Sequence, residues 1–534
     1  MTRGSAPDDR GGRDASVVIL SGARAAGAAK DPVAPGARSA AALAAQRDPP
    51  LRPRLSPRLS FRITGRAGAD AGPSAQILAE RRKLTPRTPP HGRRDVPRKS
   101  TARWLIFIHA TATVPAMIER NITARLLAAL ADTPVVFLAG ARQSGKSTLA
   151  RALAAGPHPA RYLTFDDTGV MAAAHRDPAG FIAGLEGDVV LDEMQRVPEL
   201  SLALKAEVDR VRRPGRFLLT GSANVLLLPA VAQALAGRIE VCTLWPFSIG
   251  ETGGVRDGFI DATFAHSLPP ASHGAVSHAD IAQRVVRGGF PEVQERRSPA
   301  RRAAWFSSYL STIMQRDVRD LSVIEGLAQL PHLLALIAAR NGALLNFADL
   351  SRSAVVAQTT LKRYLALLEA LFLVHRVPAW SANLTTRLVK APKLYVSDSG
   401  VAAHLVGASE LRLAADPSLL GSFLEGLVVA ELVKQATWNE TSVRLFHFRT
   451  HAGREVDLVL EDPRGRLVAI EVKAAATLGA GDTAGIEAFA GLVGPRFHRG
   501  IVLYTGREVI PFAANIHALP LTALWQGALL RPAG

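Results

Sequence analysis

The apolar run Pro134–Ala139 leads straight into GARQSGKST, Gly140 to Thr148, and this junction constrains the chain more than any other stretch. A buried strand, a glycine-rich turn and a helix start in that order make a phosphate cradle. Gly140 and Gly145 let the backbone curl so that its N–H groups point inward. The helix after the turn adds its positive N-terminal end. The expected nucleotide contacts are Gly140, Ala141, Arg142, Gln143, Ser144, Gly145, Lys146, Ser147 and Thr148. Lys146 reaches the β- and γ-phosphates, and the Ser147 hydroxyl holds Mg²⁺. The expected ligand is therefore a nucleoside triphosphate, read as ATP, with Mg²⁺.

A second apolar run, Val189-Val190-Leu191, ends in Asp192-Glu193 about 45 residues further on. A buried parallel strand emerging at its C-terminal edge has this form. Asp192 is expected to bind the Mg²⁺ through water, and Glu193 to polarise the attacking water, with Lys146 completing the chemistry. Arg216–Ser222, RFLLTGS, reads as a third strand, from whose end Thr220, Ser222 or Asn224 would reach the γ-phosphate or the water. Asp166 or Asp167, closing the run YLTFDD, would assist. Three strands ending at one edge suit a doubly wound sheet. Arg238, in LAGR, lies at a suitable distance to act on a γ-phosphate, in cis or from a neighbouring subunit. The competing reading is a surface arginine paired with a carboxylate such as Glu240.

Length and composition bound the remainder. A chain of 534 residues predicts about three or four domains. Cys242 is the lone cysteine, which excludes an intrachain disulfide and a cysteine zinc site and favours a reducing cytosol. The apolar segments fall short of the ~18 residues of a membrane span, so no membrane partner is expected. The formal charge of +18 is unevenly spread: residues 1–116 hold 21 Lys and Arg against 8 Asp and Glu, leaving 43 against 38 elsewhere. That basic segment, rich in Ala, Arg and Pro, cannot bury enough apolar area to offset its ordering entropy. It reads as a disordered tail, either a basic arm for nucleic acid or anionic lipid, or translated sequence upstream of a true start at Met117.

Downstream, 251–277 is Gly/Ala/His-rich and reads as a loop or insertion, with a helix over Ala304–Asp320 beyond it and Arg316-Asp317 as a supporting pair. Leu327–Ala339, Phe347–Ala354 and the run LKRYLALLEALFLVHRV read as helix, short helix, helix and strand, the order of a winged helix-turn-helix. A DNA-reading version would present Gln358, Thr360, Lys362 and Arg363. The alternative is packing against the chain itself or a protein partner.

The last third carries a different constellation. Gly421–Gln435 reads as an amphipathic helix that places Glu425 beside Val428, Val429 and Leu432. EVDLVL then carries Asp457, and LVAIEVK carries Glu471 and Lys473 on one strand face. Two carboxylates and a lysine so placed would hold Mg²⁺ and assist phosphodiester cleavage. The alternative is a structural ion-pair cluster on a nuclease-like scaffold.

From about Met117 the chain resembles prokaryotic AAA-type ATP-binding proteins whose C-terminal domain, of uncharacterised function, is similar to restriction-endonuclease-like folds. The residues that carry the resemblance are GARQSGKST, YLTFDD, LDEMQRVPEL, LLTGS, LAGR, WPFS at 245–248, GGFPE at 288–292, RDV at 316–318, TTLKRYLALLEALFLV, KAPKLYVSDSG at 390–400 and the series Glu425, Asp457, Glu471, Lys473. The resemblance implies an α/β fold: a P-loop AAA-type doubly wound parallel sheet, then a winged helix-turn-helix, then a small restriction-endonuclease-like α/β domain. The corresponding boundaries are 117–250 for the ATP-binding core, 251–324 for a loop and helical lid, 325–400 for the winged-helix-like module and 401–534 for the nuclease-like domain. The expected function is a cytoplasmic ATPase that couples nucleotide turnover to its C-terminal half, with DNA as candidate substrate. Two alternatives stand beside it: an ATP-dependent switch for assembly with itself or a protein partner, and a non-cleaving DNA-binding regulator.

Overall fold

Strand β1 (Val135–Ala139) lies at the centre of a five-stranded sheet whose members are all parallel. With β2 (Arg161–Thr164), β3 (Val189–Asp192), β4 (Phe217–Gly221) and β5 (Ile239–Thr243) the spatial order is β2-β3-β4-β1-β5. The structure is a computed structural model that describes residues 118–222, 234–266, 268, 275–318, 327–450 and 452–526. All of them lie in the second of the chain's two units, Ile108–Gly534. The basic tail, Met117 and Asn224 fall outside the described residues.

The uninterrupted apolar character of β1 reflects burial on both faces. Val136 and Leu138 point to one side and pack with Leu126, Leu149 and Leu153 of the helices Thr123–Asp132 and Lys146–Ala155. Val135 and Phe137 point to the other and join Leu200 and Leu204 of the helix Leu200–Arg210. The sheet is thus doubly wound, and β1, β3 and β4 deliver their C-terminal ends to one edge, with Leu138 beside Thr220 and Leu191 beside Leu219.

The 251–277 stretch departs from the loop expectation. Phe259–Phe264 forms a helix whose Phe259, Ile260 and Phe264 enter the main core. Six residues are too few to show a helical period in the sequence, and the burial comes from distant elements. Helices His278–Arg287 and Pro299–Thr312 come next, the latter continuing as a π-turn over Ile313–Asp317.

Helices Leu330–Ala339, Phe347–Ala354 and Gln358–Ala370 precede an antiparallel pair, β6 (Val374–Val377) and β7 (Lys393–Val396). The helix Pro417–Gln435 is not amphipathic: Phe423, Leu424, Leu427, Val428 and also Glu431, Lys434 and Gln435 are buried, because it is packed on several sides. It leads to a six-stranded sheet built from β8 (Arg444–Arg449), β9 (Glu455–Glu461), β10 (Leu467–Lys473), β11 (Phe497–Tyr504), β12 (Ile510–Ala513) and β13 (Ile516–Pro520), in the order β12-β13-β11-β10-β9-β8. β8, β9 and β10 form an antiparallel meander, and the helix Ala484–Val493 crosses over to bring β11 parallel to β10.

Buried polar groups fasten the helix Pro417–Gln435 to the nucleotide core. Glu431 accepts from Ile249 N at 2.9 Å, Lys434 Nζ donates to Phe247 O at 2.9 Å and to Glu431 at 2.7 Å, and Gln435 accepts from Phe259 N at 3.0 Å. Phe247 N in turn donates to Gly289 O at 2.7 Å. The WPFS and GGFPE segments therefore belong to a junction, and Phe247 and Pro291 from them also flank the phosphate loop beside Gly145.

Candidate nucleotide site

The turn after β1 depends on its glycines. A Cβ on Gly140 would lie 2.2 Å from the Leu244 carbonyl oxygen, and Gly145 has φ +98°, a left-handed conformation that glycine adopts without strain. Gln143, with φ 61°, takes the same region as a non-glycine, which costs about 1 kcal/mol. Ser144 is fully buried, and its Oγ has no hydrogen-bond partner. Arg120, which no local motif marks in the sequence, braces the turn from beneath: its guanidinium donates to Ser144 O at 2.9 Å and Trp245 O at 2.6 Å and pairs with Glu251 at 3.1 Å.

Lys146 is buried and its Nζ donates to Gly140 O at 3.1 Å and Ala141 O at 2.9 Å. Burial pushes its ammonium down to about 8, against the pull of Glu193 and Asp192. Those carbonyl contacts place the charge inside the cradle, where an anion would exchange for them. Asp192 is held from four directions. Ser147 Oγ donates at 3.0 Å, Tyr162 OH at 2.6 Å, Thr164 Oγ1 at 3.3 Å, and Thr220 Oγ1 also donates to it. A carboxylate aimed this way at a serine on the helix start can bind a hard cation between them. The orphaned Ser144 hydroxyl, the cationic Lys146 and the Ser147–Asp192 pair together fit a phosphate chain with Mg²⁺.

Glu193 stands next to this pair in a left-handed conformation, φ 63°. Thr220 Oγ1 accepts its N–H at 3.2 Å, and Gln195 Nε2 donates to its carboxylate and to Ser222 Oγ at 3.1 Å. Gln195 falls within LDEMQRVPEL, yet the sequence gives it no role of its own; its place in a 3₁₀ turn, Met194–Arg196, becomes informative once Ser222 is beside it. Thr220 is wholly buried and serves Asp192, so Ser222, one residue past β4, stands nearer the sheet edge. Thr148 is exposed on the helix and borders a cavity of about 280 Å³ beside Gly145, with an apolar lining that includes Ile118, Leu149, Leu153, Phe247 and Pro291.

Other expected residues lie elsewhere. Asp166 pairs with Arg196 at 2.5 Å, and Asp167 caps the helix Thr168–Arg176 by accepting from Gly169 N at 2.7 Å. Arg238 makes a two-pronged pair with Asp209, Nε at 2.6 Å and Nη2 at 2.9 Å, with neither Glu240 nor the phosphate loop as its partner. Arg142 of the loop reaches 175 residues along the chain to Asp317 at 2.5 Å, while Arg316 is exposed.

The C-terminal residues do come together. Val472 N donates to Asp457 Oδ2 at 2.9 Å, and Lys473 Nζ to Glu471 Oε1 at 3.0 Å. Burial, reinforced by Glu471, raises the Asp457 carboxyl to about 8, and burial raises Glu471 as well. Glu425 accepts from Lys393 Nζ at 2.8 Å and Tyr395 OH at 2.7 Å. Among the described residues no group of three or more His, Cys, Asp or Glu is arranged to hold a metal ion. No helix among them is long and apolar enough to cross a membrane.

Sheet order, phosphate turn and the Ser147–Asp192 pair define an AAA-type nucleotide-binding core. Residues 132–253 match the family model described as an AAA domain, while 278–412 and 420–524 match two domains of unknown function, DUF8612 and DUF4143. The chain is 32% identical over 415 residues to uncharacterized proteins of Mycobacterium tuberculosis and Mycobacterium bovis, covering 77% of this chain and 86% of each relative. It belongs to the family of AAA-domain proteins that these mycobacterial relatives represent. Among solved structures, the RuvB Holliday junction branch migration motor of Thermotoga maritima is similar at 19% identity, over 48% of this chain and 89% of that one, with a TM-score of 0.25.

Proposed function

We propose that the chain hydrolyses ATP at the phosphate loop and that nucleotide state is passed to its C-terminal half. The observation that carries this reading is the 3.0 Å contact between Ser147 Oγ and Asp192, which joins the loop to the end of β3. Lys146 would hold the β- and γ-phosphates, Ser147 and Asp192 the Mg²⁺, and Glu193 a water positioned by Gln195 and Ser222. Mg²⁺ bound there would neutralise phosphate charge. The apolar cavity beside Gly145 and Thr148 suits the nucleobase. Arg238 is held by Asp209 at the surface, and service to a neighbouring subunit's γ-phosphate would require that pair to open. Arg142–Asp317 and the hydrogen bonds of Glu431 and Lys434 to the backbone of Ile249 and Phe247 supply physical links from the core to the helices C-terminal to it.

DNA is the substrate class we favour for the C-terminal half. Three helices and the β6–β7 pair keep the order of a winged helix, with Gln358, Lys362 and Arg363 exposed and Thr360 half-buried on the third helix. The antiparallel meander followed by a crossover helix and β11 supports a restriction-endonuclease-like reading, in which Asp457, Glu471 and Lys473 would form the centre with Glu425 on the preceding helix. ATP turnover measured with and without duplex DNA separates the parts of this reading. A several-fold rise supports both. Turnover indifferent to DNA keeps the ATPase and removes DNA as its partner, in favour of a switch acting on protein assembly.

A further inference from the structure

The acidic group of the C-terminal half already contains a cation. Lys393 opens β7, well before the meander in sequence, and its side chain is 4% exposed. Its Nζ stands 2.8 Å from Glu425 Oε1, 2.7 Å from Glu455 Oε1 and 3.7 Å from Asp457 Oδ1. Tyr395, two residues on and so on the same face of β7, donates to the same Glu425 oxygen at 2.7 Å. On the other side of Asp457, Glu471 Oε2 is buried and accepts no hydrogen bond. These distances decide what can share the space. A hard divalent cation sits about 2.0–2.6 Å from its oxygens, so it and the Lys393 ammonium cannot use Glu425 Oε1 and Asp457 Oδ1 together.

We infer that Lys393 latches this centre: its ammonium fills the place of a divalent cation and keeps one out until β7 withdraws. The inference rests on the phosphodiester-cleaving reading of Glu425, Asp457, Glu471 and Lys473. Burial opposes the charge on Lys393, yet Glu425 and Asp457 hold the ammonium protonated well above its ordinary range, so rising pH within the physiological span does not release it. Release requires movement. Lys393 belongs to the module between the ATPase core and the meander, which makes displacement of that module the step that exposes the carboxylates. An ATPase attached to such a centre would then have something specific to open.

The test is Mn²⁺ binding, monitored by electron paramagnetic resonance without nucleotide, in an Asp192→Asn background that silences the phosphate loop. The parent is expected to hold no Mn²⁺ that depends on Asp457. Lys393→Gln, of similar reach and without charge, is expected to bind Mn²⁺ on the order of tenfold or more tighter, and Asp457→Asn added to it is expected to abolish that gain. Lys393→Met serves the same purpose if Lys393→Gln does not fold. Asp457-dependent binding of equal strength in the parent and the variant overturns the latch and leaves the centre standing. Absence of binding in both folded variants overturns the latch together with the cation-dependent centre.

Discussion

Ser147 Oγ and Asp192 Oδ1 meet at 3.0 Å, although one begins the helix after the phosphate loop and the other ends β3, 45 residues later. The parallel sheet brings them together: β3 and β1 flank β4, and Thr220 on that middle strand donates to the same Asp192 oxygen. Asp192→Asn keeps this shape and removes the charge. It is expected to lower ATP turnover by about a hundredfold or more while leaving Mg²⁺-free nucleotide binding intact, as read by steady-state kinetics beside calorimetry. A variant with parental turnover would remove Asp192 from the chemistry.

Gln195 touches both Glu193 and Ser222, which makes it a positioning residue for the proposed water. Gln195→Ala is expected to reduce kcat roughly tenfold with KM for ATP unchanged, since the residue contacts no part of the loop that holds the phosphates. A change confined to KM would show that it acts on binding.

The junction between core and C-terminal half is held by charges removed from water. Glu431 and Lys434 are buried, and each also satisfies a backbone group of the 247–249 segment. Glu431→Ala leaves Lys434 without its partner and is expected to cost about 3–5 kcal/mol in urea unfolding. Replacing both, Glu431→Leu with Lys434→Met, is expected to cost less than the single change. Equal losses would mean that packing, and not the unpaired ammonium, sets the penalty.

These relationships explain which parts of the molecule are legible in its sequence. β1, the phosphate turn and the Asp192-Glu193 strand end are legible because each is local: an apolar run joined directly to the polar residues that gather at the sheet edge. Asp457, Glu471 and Lys473 are legible through strand alternation. The roles of Gln195, Arg120 and Lys393 are not, although Gln195 and Lys393 fall within LDEMQRVPEL and KAPKLYVSDSG, because such a residue gains a role only from the partners the fold brings to it, 131 residues away for Arg120 and Glu251. The helix Phe259–Phe264 is hidden by its length. Pro417–Gln435 misleads because a helix packed on several sides carries buried charge where an amphipathic one would show a wet face.

Lys146 also ties binding to pH. Its ammonium sits at about 8 in the ligand-free cradle because of burial. That is below its ordinary value, so between about pH 8 and 10.5 the unfolded chain carries more protons than the folded one, and this residue's contribution to stability rises with pH across the window. Phosphates bound at Nζ favour the charged form and raise the value again. ATP binding near pH 8.5 is therefore expected to take up protons, seen as a dependence of calorimetric heat on buffer ionisation enthalpy, and Lys146→Met should lose it. Proton release on binding would contradict the placement of Lys146 at the phosphates.

Phosphate release from ATP by the purified chain, with Lys146→Ala as its blank, tests the proposed ATPase at its source. Mg²⁺-dependent turnover is expected in the parent and none in the variant beyond background. Equal release by the two, or a parent that binds and turns over no nucleotide, would contradict the assignment of this loop as a site of ATP hydrolysis.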